Sequence, residues 1–413
     1  MDAANCKRAN IVLAACVLFN LSIGVLYAWS VMTTRLTAPL EHGGFGWSAG
    51  QAGLPFSVAT VSLALAMLIG GRVQDRIGPR RVVTTGALMI ALGMALAGLS
   101  GDSVAGVSLS FGVIAAAGMG LGYSCVTPPA LKWFHPSRKG LISGLIVGGF
   151  GLSAVGMAPL TTTLLGRFGI EQTFMILGAF NLVVSTGLAR LVCNPPPGYV
   201  PREPAKPAAK AASAPAVNLG LREMLATPRF YLIFAIFLAA SSVGVMMIGN
   251  VTRVAHSQAG ITDSAVLAGL VALMALANSL GRVAAGFVSD KIGRINTLFV
   301  ILILLAVNMA AFAFYQDLVT VAAGIIVVGF CFGGLLSVMP ALCADQFGLE
   351  NFGLNYGVLF LAWGLSGVGV PVAANFLYES TGSFHSAYIL CAVLMAAMVF
   401  VNIALRREVN RNA

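Results

Sequence analysis

The chain has 413 residues, of which 58% are apolar and only 9% charged. A soluble domain carries about 25% charged residues, so a soluble enzyme is excluded and a protein of the lipid bilayer is expected. The net charge of +10 says nothing about nucleic acid until each cation has been placed relative to a membrane.

A membrane span needs about 20 mostly apolar residues. Twelve such stretches are predicted, at 10–33, 51–71, 82–100, 105–131, 141–166, 172–191, 230–251, 264–287, 297–314, 319–343, 354–377 and 387–405. The first follows Lys7 and Arg8 as a signal peptide would. It is too long for one, however, and Tyr27-Ala28-Trp29 is a poor cleavage site, so it is expected to be retained. Between spans six and seven, Pro195-Pro196-Pro197, Pro201, Pro204, Pro207 and Pro215 lie among Ala and Lys. Such a segment builds no core and is expected to be a linker. The predicted fold is an all-α polytopic membrane protein of two six-helix bundles, 1–193 and 229–413, joined by a cytoplasmic linker at 194–228.

Cations set the expected orientation. One face of the spans carries only Arg35, Arg167 and Arg253, whereas every other cation except Arg282 flanks the opposite face. This bias places both termini in the cytoplasm, in a plasma (inner) membrane. The seven cysteines form no CxxC pair and lie mostly in apolar runs, so neither disulfides nor a metal site are expected. No cofactor and no nucleic-acid partner are expected, and the unit is predicted to be a monomer.

The two halves repeat each other in the same orientation. Gly71, Asp75 and Gly78 recur with the same spacing in the second half as Gly286, Asp290 and Gly293. Gly151-Leu152-Ser153 recurs there as Gly364-Leu365-Ser366. Parallel six-span repeats are a transporter architecture with the ligand site near the midplane between the repeats. The loop pattern G-x-x-x-D-[RK]-x-G, present after spans 2 and 8, resembles the signature of the major facilitator superfamily. Its Asp75, Arg76, Asp290 and Lys291 are expected to act as a gate latch, the acids capping helix N-termini and pairing with nearby cations.

Ionisable residues inside the spans are the candidates for a ligand site. No Asp or Glu and no His lies within a predicted span and, with Arg190 at the cytoplasmic end of its span, Arg282 is the single charged side chain left in the membrane interior. It lies eight residues before Asp290, roughly 12 Å deep at 1.5 Å per residue. That is close to the centre of a hydrocarbon core about 30 Å thick. A guanidinium there costs at least ~2.5–3.5 kcal/mol, and its planar fork matches a carboxylate. The expected partner is therefore a small anion that comes and goes.

Asn278, one helical turn before Arg282, either donates to the same anion or bonds a neighbouring helix. Tyr123 and Tyr27 either offer hydroxyls to the ligand or are ordinary packing. Phe150 and Trp363 occupy equivalent positions before the repeated Gly-Leu-Ser. They either close over a small ligand from the two halves or pack. His385, at a span edge, is a candidate for carrying a proton.

The sequence also resembles the oxalate:formate antiporter family and the related monocarboxylate transporters. The likeness rests on Gly24-Val25-Leu26-Tyr27-Ala28-Trp29-Ser30, Gly120-Leu121-Gly122-Tyr123, Asn278-Ser279-Leu280-Gly281-Arg282 and Asp345-Gln346-Phe347-Gly348. It implies that Arg282 binds substrate carboxylate, with Asn278 and Tyr123 in the family's asparagine and tyrosine positions. Trp363 stands where the oxalate exchanger has a second basic residue, and the aromatics expected on helix 10 are changed to Phe332 and Leu336. One buried positive charge suits one carboxylate. The implied function is transport of a small monocarboxylate such as lactate, pyruvate or formate, by proton symport or anion exchange. Oxalate:formate exchange is the alternative. A drug-efflux carrier needs an acid in the cavity, and a membrane enzyme needs a nucleophile–base pair or metal spacing; neither is present.

Overall fold

The structure, a computed structural model, describes residues 3–25, 29–201, 218–367 and 369–411. Tyr27 and linker residues 202–217 lie outside the described residues. Those described are helical or loop, with no strand among them.

Among the described residues, ten helical stretches are long and apolar enough to cross a membrane. One of these, Pro136–Ala189, holds two spans, because Gly169 (φ 77°, ψ −176°) breaks the helix Lys139–Ala189. The first span is built as Ala3–Ser22 followed by Trp29–Leu36. With these, the twelve spans expected from hydropathy are accounted for. Span 11 is itself interrupted, running as Phe352–Leu365 and then Val370–Thr381.

Polar residues at the span edges set the helix starts. Ser48 and Gln51 form a reciprocal capping box at the start of Ala49–Ile77. The Asp263 side chain accepts from the Ala265 and Val266 amides at the start of Ser264–Ile292. The turns after spans 2 and 8 show how closely the repeat is kept. Gly78 has φ 86° and ψ 157°, and its counterpart Gly293 has φ 90° and ψ 153°. That backbone region is essentially closed to residues with a Cβ.

The chain forms two compact units. The first comprises Met1–His135, Gly149–Glu203 and Leu349–Gly357, and the second Pro136–Gly148, Pro204–Gly348 and Val358–Ala413. Each unit thus contains the start of one helix that the sequence repeat assigns to the other half. In the first unit Trp29 anchors the helix Trp29–Leu36. Its indole N–H donates to the Ala52 carbonyl at 3.0 Å, and its ring stacks on Phe111 at 4.4 Å. In the second unit Ser264–Ile292 packs tightly on Leu318–Phe347. A Cβ on Gly333 would lie 1.9 Å from the Asn278 carbonyl oxygen, and one on Gly281 would lie 2.0 Å from that of Phe330. These contacts fix the backbone just before Arg282.

Candidate functional site

Arg282 is 1% exposed, although its guanidinium is among the most costly groups to take from water. Its Nε donates to Asn278 Oδ1 at 2.9 Å, one turn back on the same helix. A second guanidinium nitrogen donates to the Val147 carbonyl at 2.6 Å. Val147 lies in 136–148, the piece of span 5 that belongs to the second unit. Span 5 can come this close because Gly144 faces Arg282, where a Cβ would stand 2.4 Å from the Arg282 carbonyl oxygen. Ser143 Oγ donates to the Ser337 carbonyl at 2.9 Å and ties the same segment to Leu318–Phe347.

Asn278 meets Arg282 through its side-chain oxygen. Its carbonyl oxygen accepts from Arg282, so the amide orients the guanidinium, and the interaction stays within one helix. Tyr123 and Phe150 come together in the first unit. They are 6% and 8% exposed, with ring centroids 5.1 Å apart in an edge-to-face arrangement. Trp363 belongs to the second unit and lies 5.0 Å from Phe360. Its indole N–H is buried and has no acceptor among the described residues. Phe332 is 3% exposed and covers Gly244, so its ring fills the gap that a glycine leaves in Pro228–Ala259. His385 is exposed at the start of His385–Arg411, where its backbone N–H takes the Ser383 hydroxyl as acceptor. Among the described residues no hydrogen bond or ion pair links it to Arg282.

The loop-motif acids lie at two junctions. Asp290 accepts from the Gly140 and Leu141 amides, each at 2.8 Å, at the start of span 5. Its partner cation is Arg294, whose guanidinium lies 2.5 Å from Asp290 Oδ1. Arg294 also reaches Asp345 at 3.1 Å, and Lys139 reaches Asp345 at 2.8 Å. Asp75 accepts from the Leu354 amide at 3.3 Å, at the start of span 11. Among the described residues it has no ion-pair partner, and Lys132 acts on it through its field at longer range.

Arg76 is exposed with no ion pair among the described residues, and the Lys291 ammonium sits 4.3 Å above the Phe287 ring. On a helix these residues point one position away from the capping acid, so they face outward. Sequence reasoning missed Val147, Lys139, Arg294 and Asp345. The repeat held a signal for part of this, because Gly140-Leu141 and Gly144 recur as Gly353-Leu354 and Gly357.

Ten long apolar helices, repeat-related glycine turns and a cation buried within one span define a polytopic membrane transporter rather than an enzyme. The family model of the Major Facilitator Superfamily matches residues 11–320 and 255–413, and the chain belongs to that superfamily. It is similar to an uncharacterized MFS-type transporter, YhjX, of Escherichia coli (strain K12), with 31% identity over 89% of this chain and 88% of the relative. It is also similar to the oxalate:formate antiporter of Oxalobacter formigenes, with 28% identity over 90% of this chain and 84% of that protein. Among solved structures, the fold resembles the transporter FucP in its outward conformation. That match has a TM-score of 0.70 and 16% identity, and covers 94% of this chain and 98% of FucP.

Proposed function

We propose that this transporter is a secondary active carrier of a small monocarboxylate of the lactate, pyruvate or formate type. The observation that carries the reading is Arg282, buried at 1% exposure in a chain whose predicted spans contain no Asp or Glu. A carboxylate accepts two parallel N–H bonds from a guanidinium, and such pairs are short and strong in a site closed to water. The substrate then supplies the negative charge that the spans lack. Asn278 holds Nε and so sets the direction of the guanidinium. The Trp363 indole N–H, buried without an acceptor among the described residues, is a neutral donor where the oxalate exchanger has a second cation. That supports one carboxylate rather than two. The formate carried by the similar antiporter is itself a monocarboxylate.

In the proposed cycle the halves 1–193 and 229–413, joined by the 194–228 linker, rock about the loaded site. The carboxylate takes the guanidinium N–H that Val147 now accepts. The bond tying span 5 to span 8 is thereby exchanged for a bond to substrate. Tyr123, Phe150 and Phe332 enclose the ligand, with Tyr27 as a further hydroxyl. Without substrate the closing site holds a net positive charge, which penalises return of the empty carrier and favours exchange. Proton symport is the other coupling consistent with one cation; the proton then travels on the substrate or through a span-edge group such as His385. The reading places a monomer in the inner membrane with both termini cytoplasmic. The Asp75 and Asp290 junctions latch that side.

Arg282→Ala in proteoliposomes is expected to abolish carboxylate uptake, and Arg282→Lys, which lacks the bidentate fork, to impair it badly. Normal lactate, pyruvate and formate uptake by the Ala variant would end this reading. Counterflow against pH-driven uptake separates exchange from symport.

A further inference from the structure

One cavity in the structure is not lined by Arg282. That cavity, about 490 Å³, lies in the first unit and is lined by Val31, Thr34, Arg35, Thr162, Leu165 and Gly166. Arg35 ends the helix Trp29–Leu36, two turns past the Trp29 anchor. Its Nε is buried without a hydrogen-bond partner, and Arg35 enters no ion pair among the described residues. It is also one of only three cations on a face that membrane proteins otherwise keep poor in positive charge. A second of the three, Arg167, directly follows the lining residue Gly166.

A purely structural arginine at a helix end hydrogen-bonds the last carbonyls or an acid. Arg35 does neither among the described residues. A buried N–H left unmade is costly, and a cavity beside it gives a ligand room to satisfy it. Thr162 uses its hydroxyl hydrogen on the Ala158 carbonyl of its own helix at 2.9 Å, so the polarity of the wall is dominated by the guanidinium. The apolar side, from Val31 and Leu165, suits a short alkyl group rather than a second charge.

We infer that this cavity is an outer capture site for a small carboxylate, in which Arg35 binds the anion before it reaches Arg282. The inference rests on the proposed monocarboxylate function and adds to it a residue and a cavity outside the Arg282 site. A cation at the mouth of a transport path raises the local anion concentration and the rate of capture. It acts on loading from one side only.

The test compares uptake of radiolabelled formate and lactate by intact cells with uptake by everted vesicles, using wild type, Arg35→Gln, Arg35→Lys and Arg282→Ala. For Arg35→Gln the KM in intact cells is expected to rise about three- to tenfold, with the KM in everted vesicles unchanged. Arg35→Lys, which keeps the charge, is expected to recover most of the loss at low ionic strength. Arg282→Ala loses transport in both orientations. An unchanged outer KM for Arg35→Gln, with Arg282→Ala still inactive, overturns the capture site and leaves the proposed function standing. Carboxylate transport by Arg282→Ala removes the function itself. The same kinetics in proteoliposomes with and without phosphatidylglycerol give the third arm. An Arg35→Gln effect confined to vesicles containing the anionic lipid means that the cavity holds a lipid headgroup, and this also overturns the inference.

Discussion

The two junctions built from the sequence repeat share a backbone and differ in charge. In the first unit a Cβ on Gly71 would lie 2.0 Å from the Gly353 carbonyl oxygen. In the second a Cβ on Gly140 would lie 2.3 Å from that of Gly286. Each junction is completed by a motif acid that accepts from the amide of the leucine after the glycine, Asp75 from Leu354 and Asp290 from Leu141. One turn further into the spans the correspondence continues. Gly357 approaches the Met67 carbonyl as Gly144 approaches the Arg282 carbonyl. Met67 is the counterpart of Arg282 in the first half of the repeat, and both are buried, at 0% and 1% exposure. One scaffold therefore carries an apolar side chain in one unit and the candidate binding charge in the other. Under the proposed function, the binding charge sits on one copy of a repeat whose packing both copies keep.

The sharpest way to break that comparison is to erase the difference. Arg282→Met gives the second unit the residue of the first. A buried Met costs nothing in desolvation and fills much of the same space, so the protein is expected to fold at least as stably as wild type. Carboxylate transport is expected to disappear, the largest effect of any substitution considered. Uptake assays and melting curves on the same preparation check both halves of the statement. An inactive variant that also fails to fold would make Arg282 a structural residue.

A second test asks whether the backbone device is equal in the two units. Gly140→Ala and Gly353→Ala each drive a methyl to within 2.3 Å and 2.4 Å of a carbonyl oxygen. Overpacking of this kind costs about 1–3 kcal/mol, and both variants are expected to melt earlier by similar amounts. Gly156→Ala, with nothing within 4 Å of the added carbon, is the control and is expected to melt as wild type. A large loss at one junction and none at the other would show that the symmetry is confined to the sequence.

These junctions also show what the sequence can and cannot reveal. Hydropathy fixes the spans, because bilayer thickness dictates their length and leaves charge only at their ends. Arg282 stands out by elimination, and Asn278 by its helical spacing from it. The Val147 carbonyl is invisible in the sequence, since a backbone acceptor far along the chain from Arg282 has no side-chain signature. Arg76 and Lys291 follow their acids in sequence, and on a helix adjacent residues point in different directions. The cation that meets Asp290 is Arg294, which lies across the Gly293 turn at the start of the next helix. Lys139 and Asp345 join only because 136–148 packs in the second unit, a consequence of the fold rather than of any local pattern.

The smallest effect is expected from the charges themselves. Arg294 bonds Asp290, Ser289 and Asp345 at once, whereas its repeat counterpart in the first half is Pro79 at the first position of its helix. Arg294→Ala leaves Asp290 with its two amide donors and Asp345 with Lys139, so neither acid is stranded. The loss is therefore expected to be about 1–2 kcal/mol, read as a lower melting temperature and a weaker dependence of melting on salt. Pro79→Arg is the reciprocal change. It places a guanidinium four residues after Asp75, but it also gives up a proline whose fixed φ suits the first position of a helix. The gain should therefore be smaller than the loss at Arg294, and salt should remove it. If Pro79→Arg instead stabilises as much as Arg294→Ala destabilises, the two junctions are interchangeable electrostatically. The contrast drawn between them would then narrow to Met67 against Arg282.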